Sequence, residues 1–328
     1  MQTGGMARAR RLPRALASLP FKFAVTGGLL TYAFLRIDVA ALSRDAGHAD
    51  PGLLALAVAM LCLNYPLGGL RWWCVVRGLG RSAPAGLLIG LFWLGGLVGQ
   101  FLPSPLGDTL RVWTAARRGM QLGTAVRSAL FERLLMVFAL LLLIAVTEPM
   151  LQTRVGAAVP TRIAWLLLAG GVVGLAVFAL ADLLLAPLRH LPLVGMVADL
   201  SAEFRRLLAS PWSPAVYAAL LLGHLNLIFT AGIVGAALAL PLSAGDYLAI
   251  MPVATVATIL PVSIGGWGVR EGVLIAMLGT MGVPAEAALV FSLLYGLCIA
   301  ASSLPALAFL WRRGNVHATA RAAVAAEH

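Results

Sequence analysis

Six ionisable residues lie inside or beside long apolar stretches of this chain. Three are arginines and three are carboxylates, so their formal charges cancel: Asp108, Arg111, Glu132, Arg133, Arg270 and Glu271. An ionised side chain in the apolar part of a membrane costs at least about 2.5 to 3.5 kcal/mol on insertion scales, so such residues are functional candidates. Planar guanidinium groups suit phosphate, and nearby carboxylates could balance them or carry protons.

Two interpretations of these six residues stay open. In the first, they form a closed ionic network that ties helices together. In the second, Arg111 and Arg270 hold the phosphate of a lipid headgroup, Arg133 can replace either, and the three carboxylates balance the empty site. Asp108 and Arg111 are three residues apart and could pair on one helical face, whereas the adjacent Arg270 and Glu271 are expected to point in different directions.

Arg111 and Arg270 each follow a similar break in an apolar run. The first break, LPSPLGDTLR, has its proline at Pro103, and the second, LPVSIGGWGVR, has its proline at Pro261. Paired Gly/Pro-broken segments in two halves of a chain indicate a transport site built from discontinuous helices. The second break adds four candidate site residues: Gly265, Gly266, Trp267 and Gly268. The glycines would expose N–H groups to an anion, and the tryptophan either plugs the break, gates it or contacts an acyl chain.

The composition places the chain in a membrane. Of its 328 residues, 61% are hydrophobic and 11% are charged, against about 25% charged in an average soluble domain. A crossing helix needs about 20 apolar residues, and six stretches qualify: 21–42, 51–70, 129–146, 163–185, 214–240 and 284–311. The net charge of +11 comes from short basic flanks of these stretches, so we expect no nucleic-acid binding.

The positions of Lys and Arg predict how the chain enters the membrane. The basic N-terminus belongs in the cytoplasm by the positive-inside rule. If residues 85–102 crossed completely, the arginines within 117–127 would lie outside. A re-entrant hairpin that breaks at Pro103 and Pro105 and returns along 106–116 keeps them inside. Because irregular backbone at membrane depth must line a cavity or be buried in protein, this hairpin should face a cavity.

A second hairpin is predicted from the opposite side. It enters along 247–260, breaks over 261–268 and leaves along 269–281. The last arm has about 13 residues, or roughly 20 Å, which is too short for an apolar core of about 30 Å. The final crossing helix then returns the C-terminus to the cytoplasm. Outside the membrane on the far side this topology leaves four arginines: Arg36, Arg44, Arg154 and Arg162.

The predicted fold is an all-α polytopic membrane protein with six transmembrane helices and two re-entrant helical hairpins in an inverted-topology repeat. Repeat one covers about 51–146 and repeat two about 214–311, and a cytoplasmic connector lies at 187–211. A single transmembrane domain extends over 21–311, between a basic cytoplasmic N-terminus at 1–20 and a cytoplasmic tail at 312–328. Inverted repeats of this kind support alternating access to a central site.

The other polar residues in apolar segments have simpler expected roles. Cys62, Cys74 and Cys298 lack the spacing of a metal site or a disulfide, so we expect small buried side chains, no metal and no cofactor. His224 and Asn226 lie inside one crossing stretch. Polar side chains in such helices more often form hydrogen bonds within the helix bundle than bind ligands.

Four stretches of the chain resemble the transmembrane region of lysylphosphatidylglycerol synthases, the flippase-like family. They are LPSPLGDTLRVWTAARRG (102–119), SALFERLL (128–135), LPVSIGGWGVREG (260–272) and MGVPAEAALVFSLLYG (281–296), and their order covers about residues 20–311. The resemblance implies an integral membrane domain that moves or binds polar lipids. It does not imply aminoacyl transfer, which in full synthases belongs to a soluble C-terminal domain, whereas this sequence ends at His328. Asp108 stands where the family more often has Glu, which keeps the charge and shortens its reach.

These features together predict a lipid translocase of the cytoplasmic (inner) membrane with both termini in the cytoplasm. Its cargo would be an anionic or zwitterionic phospholipid or a lipid-linked precursor, bound through the headgroup. Lipid-synthesis enzymes and further copies of the chain are open as protein partners. We expect a transporter rather than an enzyme. The alternatives are an integral-membrane lipid-modifying transferase, which would need a general base or metal-binding carboxylates near the interface, and a non-catalytic membrane subunit.

Overall fold

The computed structural model describes residues 47–102, 104–155, 161–259 and 263–308, together with Gly27 and Thr31. Over these residues the chain forms ten α-helices and no β-strand. The helices are α1 (Pro51–Gly78), α2 (Ala85–Phe101), α3 (Ser104–Arg117), α4 (Leu122–Val155), α5 (Thr161–Leu184), α6 (Pro192–Leu208), α7 (Ser213–Ala237), α8 (Ala244–Ile259), α9 (Val269–Thr280) and α10 (Ala285–Ser303). A 3₁₀ turn at Ala186–Leu188 precedes α6.

Five of the helices are long and apolar enough to cross a membrane, namely α1, α4, α5, α7 and α10. These five correspond to five of the six predicted crossing stretches. The remaining stretch, 21–42, falls on residues of which the structure describes only Gly27 and Thr31. The basic segment 1–20 and the tail 312–328 also lie outside the described residues.

The start and end of α1 follow from local chemistry. The Asp50 carboxylate accepts hydrogen bonds from the N–H groups of Gly52 and Leu53 at 2.7 and 3.2 Å, and Pro51 fits the first helical position because its missing N–H would be unpaired there. The helix ends before Gly80, whose φ is +70°. The Asp50 N–H donates to the Ala237 carbonyl at 2.9 Å, which joins the start of α1 to the end of α7.

Helices α2 and α3 fold back on each other on either side of Pro103, which itself lies outside the described residues. The two arms touch through glycines, since a Cβ at Gly95 would lie 3.1 Å from the Gly107 carbonyl. The prediction that Pro105 belongs to the break is wrong. Helix α3 begins at Ser104, and Pro105 is tolerated because an N–H in the first turn has no partner within the helix.

Helices α8 and α9 form the second folded pair. Helix α8 begins earlier than the predicted residue 247 because Ser243 and Asp246 cap it: the Asp246 carboxylate accepts from the Ser243 N–H at 2.7 Å and from its hydroxyl at 2.8 Å. At the other end the arms are in contact, with Gly266 close to Thr258. The two arms have 16 and 12 residues, or about 24 and 18 Å. Pro261 lies outside the described residues.

The predicted connector 187–211 forms α6, an amphipathic helix at one end of the bundle. Its buried face carries Ala198, Phe204 and Leu207, and this face packs on α1, α4, α5 and α7. The opposite side exposes Leu193 and Met196. An amphipathic helix with exposed apolar residues suits the surface of a membrane.

The described helices repeat one order. A long helix, a folded helix pair and a second long helix occur as α1 to α4 and again as α7 to α10. Helix α1 packs against α7, α2 and α10, so the two sets share one core. The inverted orientation of the two sets in the membrane stays a prediction.

Candidate functional site

A cavity of about 280 Å³ lies between the two folded helix pairs. Helices α1, α2, α7, α8 and α10 line it together with the break between α8 and α9. Its polar lining includes Asn64, Tyr65, Gln100, Thr255, Thr258 and Arg270. A concave site with apolar walls and a few convergent polar groups is the first place to look for a ligand.

The ends of the two helix pairs meet at Gln100 and Gly265. A Cβ at Gly265 would lie 2.8 Å from the Gln100 carbonyl oxygen, and its φ of +58° is one that side chains rarely allow. The neighbouring Gly266 and Gly268 also have positive φ. The predicted glycines of the second break therefore bring its backbone against the first helix pair and close one side of the cavity.

Arg270 is the charged residue of this cavity, and it is 5% exposed. Its Nη2 lies 2.7 Å from Glu271 Oε1. The Ser292 hydroxyl joins the same cluster, since it donates to Glu271 Oε1 at 3.1 Å and accepts from Arg270 Nε at 3.3 Å. The other Glu271 oxygen accepts the Gly268 N–H at 2.5 Å. Glu271 therefore neutralises Arg270 and caps the start of α9.

The prediction that Arg270 and Glu271 point in different directions is wrong. Glu271 turns back toward the start of α9 to accept the Gly268 N–H, which brings its carboxylate beside the preceding residue. The long Arg270 side chain then reaches it without leaving the cavity wall. Helix-face rules assume side chains that project outward, and a capping carboxylate departs from that assumption.

Five charged residues of α1, α3 and α4 form a second cluster of ion pairs. Glu132 accepts from Arg71 at 2.6 Å and from Arg111 at 2.7 Å. Arg111 also donates to Asp108 at 2.9 Å, and Asp108 accepts a hydrogen bond from Arg133. Arg71, Arg111 and Glu132 are all buried. These five residues together carry a net charge of +1, and their ion pairs connect α1, α3 and α4.

Arg71 is one of these five charged residues, and the sequence did not predict its role. It follows the apolar stretch 51–70 directly, so its position resembles that of the basic residues that flank the crossing stretches. Helix α1 continues to Gly78, so Arg71 lies inside a long helix. The apolar residues that follow it, including Trp72, Val75 and Val76, were the signal that could have identified it.

A second cavity of about 180 Å³ lies next to the first, along α2. Asp108, Arg111 and Arg133 line it, and it shares four residues of α2 with the first cavity: Phe92, Gly96, Gly99 and Gln100. The Arg111 guanidinium stacks on Trp72 and Phe92, with its central carbon 4.7 and 5.0 Å from the ring centres. The structure thus places Arg270 and Arg111 in two adjacent cavities that share four lining residues of α2.

Arg111 and Arg270 each keep a terminal nitrogen without a hydrogen-bond partner among the described residues. In Arg111 the donors in use are Nε and Nη1, which leaves Nη2. In Arg270 they are Nε and Nη2, which leaves Nη1. The six predicted residues pair in two separate clusters and not in one closed network, with Arg270 and Glu271 apart from the other four. The remaining N–H groups can serve an anion. A substrate-binding role for these residues stays a prediction.

Trp267 packs against the arginine of its own break. The Arg270 guanidinium lies 4.7 Å from the Trp267 ring centre. Gly296 of α10 makes room for both side chains, because a Cβ there would lie 2.9 Å from Trp267 Cη2 and closer still to Arg270. The tryptophan therefore holds the arginine in place, and the predicted choice between plug, gate and lipid contact stays open.

His224 and Asn226 form hydrogen bonds to the backbone. His224 Nδ1 lies 2.7 Å from the Leu220 carbonyl in its own helix, and Asn226 Nδ2 donates to the Met60 carbonyl of α1 at 2.9 Å. Asn226 thus links α7 to α1, as expected for a polar residue in a helix bundle. Within the described part of the chain, no three His, Cys, Asp or Glu side chains lie close enough to hold a metal ion.

Comparison with known proteins identifies the family. Residues 20–305 match the family model described as the lysylphosphatidylglycerol synthase TM region. The chain belongs to this family. The resemblance inferred from the motifs at the two breaks is confirmed across most of the sequence, and the paired cavities therefore lie within a lysylphosphatidylglycerol synthase TM region.

Part of this lysylphosphatidylglycerol synthase TM region is also similar to glycosyltransferase AglD of Haloferax volcanii. The two sequences are 31% identical over 115 residues, which are 33% of this chain and 18% of AglD. The matched segment thus covers less than a fifth of AglD.

Proposed function

We propose that this protein translocates an anionic or zwitterionic phospholipid, or a lipid-linked precursor, between the leaflets of a membrane. The observation that carries the proposal is the cavity between the two helix pairs, with Arg270 in its wall and Arg111 in the adjacent cavity. Polar side chains are costly inside a helix bundle, so a polar-lined cavity at this depth points to a polar cargo.

The headgroup would bind through the guanidinium groups that are already partly paired. Glu271 balances Arg270 in the empty site, and Glu132 and Asp108 balance Arg111. A phosphate could then take the nitrogens that remain without a partner among the described residues. Charge-assisted hydrogen bonds are about twice as strong as neutral ones, so two such contacts suit a ligand that must bind and then leave.

The acyl chains would stay in contact with the surrounding lipid. An apolar groove of about 280 Å³ between α4 and α5 is lined mainly by residues such as Phe138, Leu141, Gly171 and Gly174, and Arg133 is its charged lining residue. Arg133 is 38% exposed and also lines the second cavity. A lipid could keep a chain in this groove while its headgroup moves past Arg133 toward Arg111.

The charge at the two ends of the bundle supports an orientation. Arginines crowd the end where α1 stops and α4 starts, at Arg77, Arg81, Arg117, Arg118, Arg189 and Arg206, whereas the far end of the described helices carries two, Arg154 and Arg162. By the positive-inside rule the first end and both termini would be cytoplasmic, in the inner membrane. The α2–α3 pair would then enter from the cytoplasm and the α8–α9 pair from outside, as an inverted repeat requires.

Leaflet exchange of labelled lipids in liposomes tests the proposal. Purified protein is reconstituted with fluorescent phosphatidylglycerol or phosphatidylethanolamine, and a membrane-impermeant quencher reports how fast inner-leaflet lipid reaches the outside. We expect wild-type protein to accelerate exchange of at least one of these lipids over empty liposomes. The double variant Arg111→Gln plus Arg270→Gln should exchange it about tenfold more slowly or worse, since each lost charge-assisted contact contributes about 1.5 to 3 kcal/mol.

A matched control separates the cavities from general loss of charge. Arg189→Gln removes a positive charge from an exposed pair with Asp199 and should exchange lipid at the wild-type rate. If the double variant exchanges lipid as fast as the wild-type protein, a role for the two arginines is refuted. No acceleration by the wild-type protein for either lipid would refute translocation of this class of cargo.

A second candidate, an integral-membrane lipid-modifying transferase, is favoured by the similarity to glycosyltransferase AglD. The test is chemical conversion. Incubation of the protein with labelled polyprenyl-phosphate sugars and membrane lipids, followed by mass spectrometry, should yield a new lipid product for a transferase and unchanged lipid for a translocase.

A further inference from the structure

A further cavity, lined mainly by polar residues, lies away from the two cavities beside the helix pairs. It has a volume of about 580 Å³ and lies at the arginine-rich end of the bundle, between the end of α1, the start of α4 and α6. Its charged lining consists of Arg81, Arg127, Glu203 and Arg206. It shares no lining residue with the two cavities assigned to the cargo.

The cavity carries an excess of positive charge. Arg127 and Glu203 neutralise each other across a 2.5 Å contact that ties α4 to α6. Arg81 and Arg206 form no ion pair with any residue that the structure describes, and Arg206 Nε donates only to the Ala202 carbonyl of its own helix, at 3.3 Å. Both residues are exposed to solvent, and their two guanidinium groups border the same space without a counter-ion from the described residues.

The start of α4 adds unpaired backbone donors to this space. Gln121, Gly123 and Thr124 line the cavity, and α4, which has 34 residues, carries no acidic residue in its first turn. Within the described residues, no acceptor pairs with the N–H groups of Leu122, Gly123 and Thr124. A Cβ at Gly123 would meet nothing within 4 Å. A long helix start with open N–H groups attracts anions, and phosphate above all.

The rim of the cavity faces lipid. Three large apolar side chains of α4, each four residues from the next, are exposed beside the cavity-lining residues: Leu122 at 60%, Val126 at 48% and Leu130 at 41%. This stripe covers about the first two and a half turns of α4, next to the cavity. A lipid whose phosphate occupies the cavity could lay an acyl chain on it, which favours a lipid over a soluble anion.

We propose that this cavity is a phosphate-binding site, separate from the cargo site, that holds the headgroup of an anionic lipid from the leaflet at the arginine-rich end. The donors are Arg81, Arg206 and the open N–H groups at the start of α4. Basic pockets at the cytoplasmic surface of helix bundles are suited to such headgroups. Because the same donors fit free phosphate, the two sources must be compared directly.

Ligand-dependent thermal stability of the full chain in detergent tests the proposal. The probes are phosphatidylglycerol, phosphatidylcholine and inorganic phosphate at constant ionic strength. We expect phosphatidylglycerol to raise the melting temperature more than phosphatidylcholine does. In Arg81→Gln plus Arg206→Gln, the phosphatidylglycerol concentration for half the effect should rise at least about tenfold, from the loss of two charge-assisted contacts.

Two further variants keep the test independent of folding and of bulk charge. Gly123→Glu places a carboxylate at the start of α4, which should hold or raise the basal melting temperature and remove the phosphatidylglycerol effect. Arg117→Gln plus Arg118→Gln removes the same charge from the same end outside the cavity and should respond like wild type.

The outcomes separate the sources. An effect of phosphatidylglycerol without one of inorganic phosphate assigns the site to a lipid headgroup, and an effect of both shows that phosphate alone suffices. The proposal is overturned if neither phosphatidylglycerol nor inorganic phosphate raises the melting temperature more than phosphatidylcholine does. It is also overturned if the Arg81/Arg206 and Gly123 variants respond to phosphatidylglycerol like wild type, or if the Arg117/Arg118 control loses as much of that response as the Arg81/Arg206 variant.

Discussion

Replacing Glu132 by glutamine should destabilise the protein far more than replacing Asp108 by asparagine. Glu132 is 2% exposed and accepts hydrogen bonds from both Arg71 and Arg111. Without its charge, two buried arginines lose a shared counter-ion, and Arg71 keeps no other ion-pair partner among the described residues. Removing one partner of a buried ion pair costs about 3 to 5 kcal/mol.

Asp108 provides the matched comparison within the same chain of charges. Its side chain is 33% exposed, that of its partner Arg133 is 38% exposed, and Arg111 keeps Glu132 when Asp108 is neutralised. Ion pairs open to solvent contribute about 0 to 1 kcal/mol. The two variants should therefore differ by at least about 2 kcal/mol in the free energy of unfolding.

Thermal unfolding of both variants in one detergent measures this difference. Since the entropy of unfolding is about 2.1 cal/mol/K per residue, about 1 kcal/mol shifts the melting temperature by roughly 1.5 °C in a chain of 328 residues, so Glu132→Gln should melt at least about 3 °C below Asp108→Asn. Adding Arg71→Met to the Glu132 variant removes one uncompensated charge and should recover part of the loss. Equal melting temperatures, or no recovery, would refute the buried network.

Three smaller changes test the packing around the cavities. Gly296→Ala should push the Trp267 ring and its guanidinium partner aside and slow lipid exchange, whereas Gly279→Ala, where a Cβ has open space, should leave exchange unchanged. Asn226→Leu should cost about 0.6 to 1 kcal/mol in thermal unfolding, the range for interhelical hydrogen bonds in membranes. Gly265→Ala forces a methyl group toward the Gln100 carbonyl at positive φ. It should lower the free energy of unfolding by about 1 kcal/mol, and with it the melting temperature, and it should slow lipid exchange. Wild-type behaviour of any one of these three variants would contradict the packing described for its residue.

The helices could be predicted because the apolar stretches and the Gly/Pro residues that interrupt them are visible in the sequence. Hydropathy alone indicated five of the helices that the structure shows to be long enough to cross. The prolines at 103 and 261 marked both breaks because each stands in the pattern LPxx(L/I)G, where a glycine follows closely. A proline alone does not end a helix in this protein, since Pro66, Pro149 and Pro252 lie inside α1, α4 and α8. The Ser243 and Asp246 cap shows the limit of this reasoning, since hydropathy placed the start of α8 three residues late.

The partners within the site were harder to predict because they depend on tertiary contacts and on side-chain reach. Arg71 becomes a partner of Glu132 only when α1 packs beside α4. The pairing of Arg270 with Glu271 arises because Glu271 turns back to cap α9. The meeting of Gln100 and Gly265 joins residues from separate halves of the chain, and no local pattern specifies it.

Chemical labelling from the two sides of the membrane tests the central claim, that two helix pairs reach a shared cavity from opposite faces. The three native cysteines are replaced by alanine, and single cysteines are introduced at the exposed ends of the pairs: Ser82→Cys, Arg118→Cys, Ala244→Cys and Thr280→Cys. Each variant is treated with a membrane-impermeant maleimide before and after the cells are opened. We expect the first two to react only in opened cells and the last two already in intact cells. Reaction of all four from one side, or of the two ends of one pair from different sides, would contradict the account.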